Sequence, residues 1–398
     1  MELVIWLSHC LFGFITLGWG YAFFRTVRAF RKKKWELSQE SRKSQTDILV
    51  SIIIPARNEE GSIHRSVTTA LEQDHTHFEV LIFNDGSTDG TASILSEIKS
   101  THQCADALHI FEGDGGGLPE NWYGKPWALQ RAQKHAQGQW IAFVDADVNL
   151  QPGLISRALA YAEDNDLEMV TGLGRLEVES FWERVLQPAV GALILAGNSL
   201  SQVNNPKLQD KNLANGQFIM ISREAYDTIG QHSCVQSNIL DDIGIARALS
   251  ANNIPYHCLI LNDLFSCRMY TSFSEIWEGW SKNLFAGLRY SWGNLIAAVV
   301  FTFLFSCLGP LILVSSFFLE LPLELFYWGI VITLLLQMTR VVADLRRDQP
   351  VIYGITHAPA SLLVCLMILN SGIRSTRGTV SWKGRNYKPS AQAAKEEV

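Results

Sequence analysis

The sequence predicts an α/β domain built on a mostly parallel sheet, held between an apolar helix at one end and further apolar helices at the other. Two observations predict it. Short apolar runs alternate with helical stretches from Ile48 to about Pro255, a spacing that implies parallel strands with covering helices. Charge is concentrated between about Arg25 and Glu278, while both ends of the chain are greasy.

The strands and helices follow in order. Ile48–Ile54 reads as a strand and Glu59–Gln73 as a helix. Phe78–Phe83 is a second strand, ending at the turn Asn84-Asp85-Gly86-Ser87-Thr88-Asp89-Gly90, where Asp89 or Ser87 can cap a helix over Thr91–Ser100. Leu108–Glu112 is a third strand, Trp127–Ala136 a helix, and Trp140–Val144 a fourth strand that runs into Asp145-Ala-Asp147. Phe143-Val-Asp145-Ala-Asp147 and Val50-Ser-Ile-Ile-Ile-Pro55-Ala-Arg-Asn58-Glu59 are both apolar runs that stop at polar residues, as buried parallel strands do at a ligand-binding edge.

Leu3 to Phe24 carries no charge and is long enough to cross a ~30 Å hydrocarbon core as a helix. Arg25, Arg28, Arg31, Lys32, Lys33 and Lys34 follow it, the reverse of a signal peptide's order, so it reads as an uncleaved anchor. The positive-inside rule puts the domain after it in the cytoplasm. Three more apolar runs close the chain: Leu295–Phe318, broken by Pro310, then Phe326–Val342 and Ile352–Ile368. A fourth full crossing puts Arg374, Arg377, Lys383, Arg385 and Lys388 outside, against the same rule, and the last run, with His357 and Pro359, is open to a re-entrant or interfacial reading. The expected segments are an anchor over 1–24, a basic linker over 25–47, the catalytic domain over 48–270, an interfacial segment over 271–293, membrane helices over 294–372, and a basic, disordered tail over 373–398.

A net charge of −6 excludes the global basic character of a nucleic-acid binder. Seven dispersed cysteines with no CxxC pair argue against a zinc site or a disulfide framework and fit a reducing compartment.

Two carboxylates on a turn at a strand end, Asp145 and Asp147, suit a hard divalent cation that in turn holds a diphosphate. Asp85 can accept hydrogen bonds from a ribose or a base edge; it can also simply build its turn. Gly113-Asp-Gly-Gly-Gly117 fits neither the Walker pattern nor the dinucleotide fingerprint and reads as a flexible loop. Lys125 opens a helix and offers a cation to a diphosphate, with a solvated lysine as the plain alternative. Asp241-Asp242 marks a helix N-terminus, where the dipole favours negative charge; the functional alternative is a general base. The apolar stretch within Phe181–Asn204 reads as a core helix or as an interfacial one beside an acceptor tunnel. Trp277, Trp280, Phe285 and Tyr290, interleaved with Lys282 and Arg289, read as an interfacial segment.

Together these residues resemble the family-2 inverting glycosyltransferases of GT-A fold, over roughly Ile48 to Arg289. The resemblance implies that Pro55, Asn58, Glu59 and Asp85 bind the nucleotide, that Lys125 and Asp145 meet the donor, and that Asp145 and Asp147 form the Asp-x-Asp site for Mg²⁺ or Mn²⁺. It implies Asp242 as the catalytic base with Asp241 beside it. A finer likeness to membrane-bound carotenoid glycosyltransferases and hopanoid-associated relatives rests on Leu118-Pro-Glu-Asn-Trp122-Tyr-Gly124-Lys125-Pro-Trp127-Ala, Asn215-Gly216-Gln217-Phe-Ile-Met, Arg223-Glu-Ala-Tyr226, Gly230-Gln-His232 and Trp382-Lys-Gly384-Arg385-Asn-Tyr387. His232, Trp280 and Lys282 fall on the expected acceptor or interface side. Processive members carry Gln-x-x-Arg-Trp after the base; Trp277-Glu-Gly-Trp280-Ser-Lys282-Asn stands here instead, and Asp241-Asp242 replaces the usual Glu-Asp.

The expected function is non-processive transfer of one sugar from a nucleotide sugar to a lipid, foremost a hydroxylated or carboxylated carotenoid, by an integral protein of a bacterial plasma or internal membrane. Other lipid acceptors (hopanoid, diacylglycerol, ceramide or polyprenyl phosphate) and a catalytically silent membrane scaffold are the rivals. A transporter fits less well, because the apolar runs hold few ionisable groups beyond Arg340 and His357.

Overall fold

The computed structural model describes residues 2–29, 34–113, 117–197, 199–383 and 385–387. Arg31, Lys32 and Lys33 of the basic run, the middle of the Gly113–Gly117 loop, and the tail from Lys388 lie outside those residues. The chain divides into two compact units: Met1–Lys34 with Val178–Gly197 and Tyr270–Val380, and Trp35–Glu177 with Asn198–Met269 and Ser381–Val398.

The second unit is built on a seven-stranded sheet. Its strands are β1 (Val50–Ala56), β2 (Phe78–Asn84), β3 (Leu108–Glu112), β4 (Trp140–Val144), β5 (Met169–Leu173), β6 (Phe218–Ser222) and β7 (Tyr256–Ile260), in spatial order β3-β2-β1-β4-β6-β5-β7. All neighbours pair in parallel except β6, which runs antiparallel to both β4 and β5. β2 and β3 step away from β1 on one side and β4 returns on the other. The carboxyl ends of β1 and β4 therefore flank a topological switch point.

Both faces of the sheet are covered, which is why its strands read as continuous apolar runs. Ile52, Ile54, Val80 and Ile82 enter one core with Val67, Leu95 and Leu159 from its helices. Ile53, Leu81, Phe143 and Ile141 enter the other with Leu129, Tyr226 and Leu249. The period of two along β1 thus serves two cores, each fully buried isoleucine contributing roughly 1.5–3 kcal/mol.

The helix expected over Glu59–Gln73 begins only at Ile63. The Glu59 N–H is taken by Thr91 Oγ1 (2.8 Å) and the Glu60 N–H by Asp89 Oδ2 (3.1 Å), so the first turn braces the neighbouring loop instead. Asp89 does the capping at Thr91, its Oδ1 accepting the Thr91 N–H at 3.0 Å. The helix expected from Trp127 starts earlier, at Gly124, and brings Lys125 into its first turn.

The first unit is helical. Among the described residues four helices are long and apolar enough to cross a membrane: Trp6–Arg28, Trp292–Ser315, Leu323–Arg346 and Val351–Thr376. The break expected at Pro310 is instead a π-turn over Phe303–Cys307 within a continuous span. Pro310 has no N–H for the Ser306 carbonyl and crowds it, and a widened turn just upstream relieves that clash. The anchor is tied by Trp19 Nε1 to the Phe305 carbonyl (2.8 Å) and by His9 Nδ1, which accepts from Trp328 Nε1 (2.9 Å). Helices Phe181–Gly197, Phe273–Gly287 and His357–Thr376 share a further core that includes Val190, Phe285, Val364 and Ile368. Arg340 and His357 are buried in this unit, with Arg340 held by Asp344 (2.7 Å).

Candidate active site

The site lies in the second unit, at the carboxyl ends of β1, β2 and β4. Pro55 is the penultimate residue of β1, opposite Phe83 of β2. Asn58 follows with φ +52°, a value an asparagine tolerates in a tight turn. Its N–H donates to Ser87 Oγ (2.9 Å) and its Oδ1 accepts the Thr88 N–H (2.9 Å), so its side chain clamps the β1 loop onto the β2 loop.

In the β2 turn, Asn84 and Asp89 supply the turn's own hydrogen bonds. The Asp85 carboxylate is left for another partner, and Arg385 Nη1 donates to it at 2.5 Å. Glu59, on the β1 loop, pairs with Lys383. Burial raises the Glu59 carboxyl, and Lys383 works against that rise.

After β4 the chain turns at Asp145-Ala146-Asp147, Val148 N–H donating to the Asp145 carbonyl (3.2 Å). Lys125 Nζ lies 2.6 Å from Asp145 Oδ1. Burial disfavours the Lys125 charge, but Asp145, Asp241 and Asp242 outweigh it and hold the ammonium above the ordinary lysine range. Asp147 is pushed up to about 7 by burial and by the charges of Asp145 and Glu59. Its Oδ1 is buried without a hydrogen-bond partner among the described residues.

Asp241 and Asp242 begin the helix Asp241–Ala251. Asp242 Oδ2 accepts the Gly216 N–H (2.8 Å) and Oδ1 accepts the Ile243 N–H (2.8 Å). Burial and the neighbouring Asp241 push Asp242 up to about 6, against Lys125 and these two N–H groups. A carboxylate poised there is suited to accept a proton near neutral pH.

A divalent cation fits this edge in one limited way. Among the described residues no group of three or more His, Cys, Asp or Glu has metal-holding geometry. The orphaned Asp147 Oδ1, beside Asp145, instead offers the one or two carboxylates with which Mg²⁺ is commonly held, the rest of its shell coming from water and phosphate.

His232 is not on an acceptor surface. It is 1% exposed, its Nδ1 paired with the Tyr226 hydroxyl at 2.5 Å and its ring edge-on to Phe143 at 4.8 Å. Burial and Lys125 lower it to about 3. Apolar surroundings and a tyrosine six residues upstream make it a neutral core histidine. Trp280 and Lys282 belong to the first unit, on the helix Phe273–Gly287, where Trp280 Nε1 donates to Gln187 Oε1 (3.0 Å).

Residues not singled out for the site also converge on it. Gly216 holds Asp242, Arg57 Nη1 donates to the Asp85 carbonyl, and Lys383 and Arg385 arrive from the far end of the chain. The only sequence signal for the last two was the Trp382–Tyr387 likeness.

Residues 51–230 match the model of Glycosyl transferase family 2. A 4,4'-diaponeurosporenoate glycosyltransferase of Staphylococcus aureus (strain MRSA252) is 26% identical over 86% of this chain and 89% of its own length. Its counterpart from strain bovine RF122 / ET3-1 is 25% identical over the same shares. Among solved structures, a mannosyltransferase from Pyrobaculum calidifontis in complex with GDP-Man and Mn²⁺ covers 92% of this chain and 98% of its own at 16% identity, with a TM-score of 0.46.

Proposed function

We propose, from the match of residues 51–230 to the family-2 glycosyltransferases, that the chain is a membrane-bound, non-processive, inverting enzyme that moves one sugar from a nucleotide sugar to an apolar lipid, a hydroxylated or carboxylated carotenoid. The observation that carries the proposal is the convergence of Asp145 and Asp242 on Lys125 at the switch point of the sheet. This sets a donor-side carboxylate pair and a proton acceptor around one cation.

Asp85, on the β2 loop, takes the ribose or base, and Lys125 faces the diphosphate. Asp145 and Asp147 would hold Mg²⁺ or Mn²⁺, which neutralises the leaving diphosphate when bound. Asp242 accepts the proton of a hydroxyl, or of a carboxylic acid that enters protonated, as that oxygen bonds to the anomeric carbon and the bond to the diphosphate breaks. One displacement inverts that centre. Asp241 raises the proton affinity of Asp242 from alongside.

Two observations favour an apolar acceptor. The apolar helices give the protein a membrane setting, and the relatives are named for a carotenoid carboxylate. Arg25, Arg28 and Lys34 after the first apolar helix favour a cytoplasmic catalytic domain. Whether the acceptor is a carotenoid or another lipid is decided by experiment. The full-length protein in detergent is given UDP- and GDP-sugars with Mn²⁺, and release of nucleoside diphosphate is followed with and without carotenoid-containing lipid extract. Release that depends on the extract supports the proposal. Equal stimulation by a carotenoid-free extract replaces the acceptor, and no release from any donor refutes the activity.

A further inference from the structure

The chain's last described residues return to the catalytic unit: the segment from Ser381 groups with it, whereas the helix before it belongs to the other unit. Within that segment Lys383 pairs with Glu59 and Arg385 with Asp85, two acids on adjacent loops of the candidate donor site. Lys383 also acts on Asp147, and Tyr387 lies within the field of Arg57, Asp85 and Asp241. The Tyr387 ring meets Tyr123 edge-on at 4.8 Å. The segment thus rests directly on two acids of the nucleotide position, Glu59 and Asp85.

The fold makes room for it. Arg385 Nη1 passes so close to Gly124 that a Cβ there would stand 2.5 Å from it. Gly124 opens the helix that carries Lys125, so Arg385 and Lys125 approach the site across the same backbone. The segment also alters the charge of the site. Glu59, Asp85, Asp145, Asp147, Asp241 and Asp242 place six carboxylates around Lys125, and Lys383 and Arg385 add two positive charges to an edge that would otherwise lean toward repelling a diphosphate. Arginine in particular presents a planar fork that matches phosphate oxygens, and the Arg385 side chain is only 14% exposed, which spares it most solvent screening.

Building on the glycosyltransferase reading, we infer that Ser381–Lys383 and Arg385–Tyr387 are part of the donor site, and that Lys383 and Arg385 bind the diphosphate of the nucleotide sugar. They rest on Glu59 and Asp85 and turn to the phosphate oxygens when donor enters, which frees Asp85 for the nucleoside.

The test titrates UDP, GDP, UMP and GMP with Mn²⁺ onto the full-length protein in detergent. It compares wild type with Lys383→Ala/Arg385→Ala, with the conservative Lys383→Arg/Arg385→Lys, and with Gly124→Ala, which displaces the arginine without changing any charge. The inference expects the double alanine variant to lose about 10- to 100-fold in diphosphate affinity, the range of hydrogen bonds to charged groups, and under about 3-fold in monophosphate affinity. The conservative pair should keep most of the affinity, and Gly124→Ala should lose part of it. Equal losses for mono- and diphosphate, unchanged affinities, or tighter diphosphate binding once the cations are removed would each overturn the inference while leaving the glycosyltransferase reading intact. Failure of wild type to bind any of the four nucleotides overturns both.

Discussion

The ammonium of Lys125 lies 2.6 Å from Asp145 Oδ1, joining the first turn of one helix to the strand-end turn of β4. Lys125 also reaches the carbonyl of Gly216 at 3.4 Å, the residue whose N–H holds Asp242. One cation therefore sets the electrostatics of both the proposed donor carboxylate Asp145 and the proposed base Asp242.

Removing that cation should disable the enzyme without unfolding it. Lys125→Ala is expected to lower kcat/KM about 100-fold or more, as loss of a preorganised charge at a leaving group does. Lys125→Arg should restore part of it. The check is steady-state transfer alongside thermal melting; a fully active alanine variant would remove Lys125 from the mechanism.

The pH profile should report Asp242. Its carboxyl is raised to about 6, first by burial and then by Asp241, and it must be ionised to accept a proton. The rate is therefore expected to climb about tenfold per pH unit below 6 and to level off above it. Asp241→Asn removes the like charge and should move the inflection down; Lys125→Ala removes the opposite charge and should move it up. A profile that ignores both substitutions would contradict the assignment.

Asp147 should govern metal-assisted nucleotide binding. Its Oδ1 has no hydrogen-bond partner among the described residues. Asp147→Asn is expected to abolish the gain in UDP or GDP affinity that Mn²⁺ or Mg²⁺ brings to wild type, with affinity in chelator unchanged. Calorimetric titration with and without metal reads this directly, and an undiminished metal effect would place the ion elsewhere.

Membrane topology follows from the return of Arg385 to Asp85. Because Arg385 pairs with Asp85 within one unit, the catalytic unit and the segment after Val380 are expected on one side of the membrane, with an even number of crossings between them. One of the three C-terminal apolar helices is therefore expected not to span. Val351–Thr376 is the candidate, since 44% of its apolar window is buried within the protein against 22% for each of the other two. Cysteine labelling in intact cells should find engineered sites in the catalytic domain and after Val380 equally protected; opposite accessibility would contradict the arrangement.

His232 should matter for folding rather than for binding. Its bond to Tyr226 is buried, and leaving one partner unsatisfied costs about 1–3 kcal/mol. His232→Ala is expected to lower Tm while leaving the donor and acceptor KM unchanged, and a raised acceptor KM at normal Tm would return His232 to the acceptor side.

Most of the sheet was legible because its strands are buried on both faces. Trp140–Val144 and Leu108–Glu112 fall where the apolar runs place them, and Asp145, Asp147, Asp85 and Asp242 stand at element ends where composition changes abruptly. The start of the helix at Ile63 was not legible, because it depends on Thr91 and Asp89 of another loop taking the N–H groups of Glu59 and Glu60. The burial of His232 depends on Tyr226 and Phe143 in the same way. Periodicity registers contacts within an element, whereas the meeting of Lys383 with Glu59 and of Arg385 with Asp85 joins opposite ends of the chain.

The most direct test of the central claim compares lipid and pigment extracts, by mass spectrometry, from three otherwise identical carotenoid-producing strains. One expresses the wild type, one the Asp242→Asn protein, and one neither. The account predicts a carotenoid heavier by one sugar in the first strain alone. A sugar-shifted carotenoid of equal abundance with Asp242→Asn would contradict the assigned base, and no shifted lipid in any strain, with donor and acceptor both present, would contradict the enzyme itself.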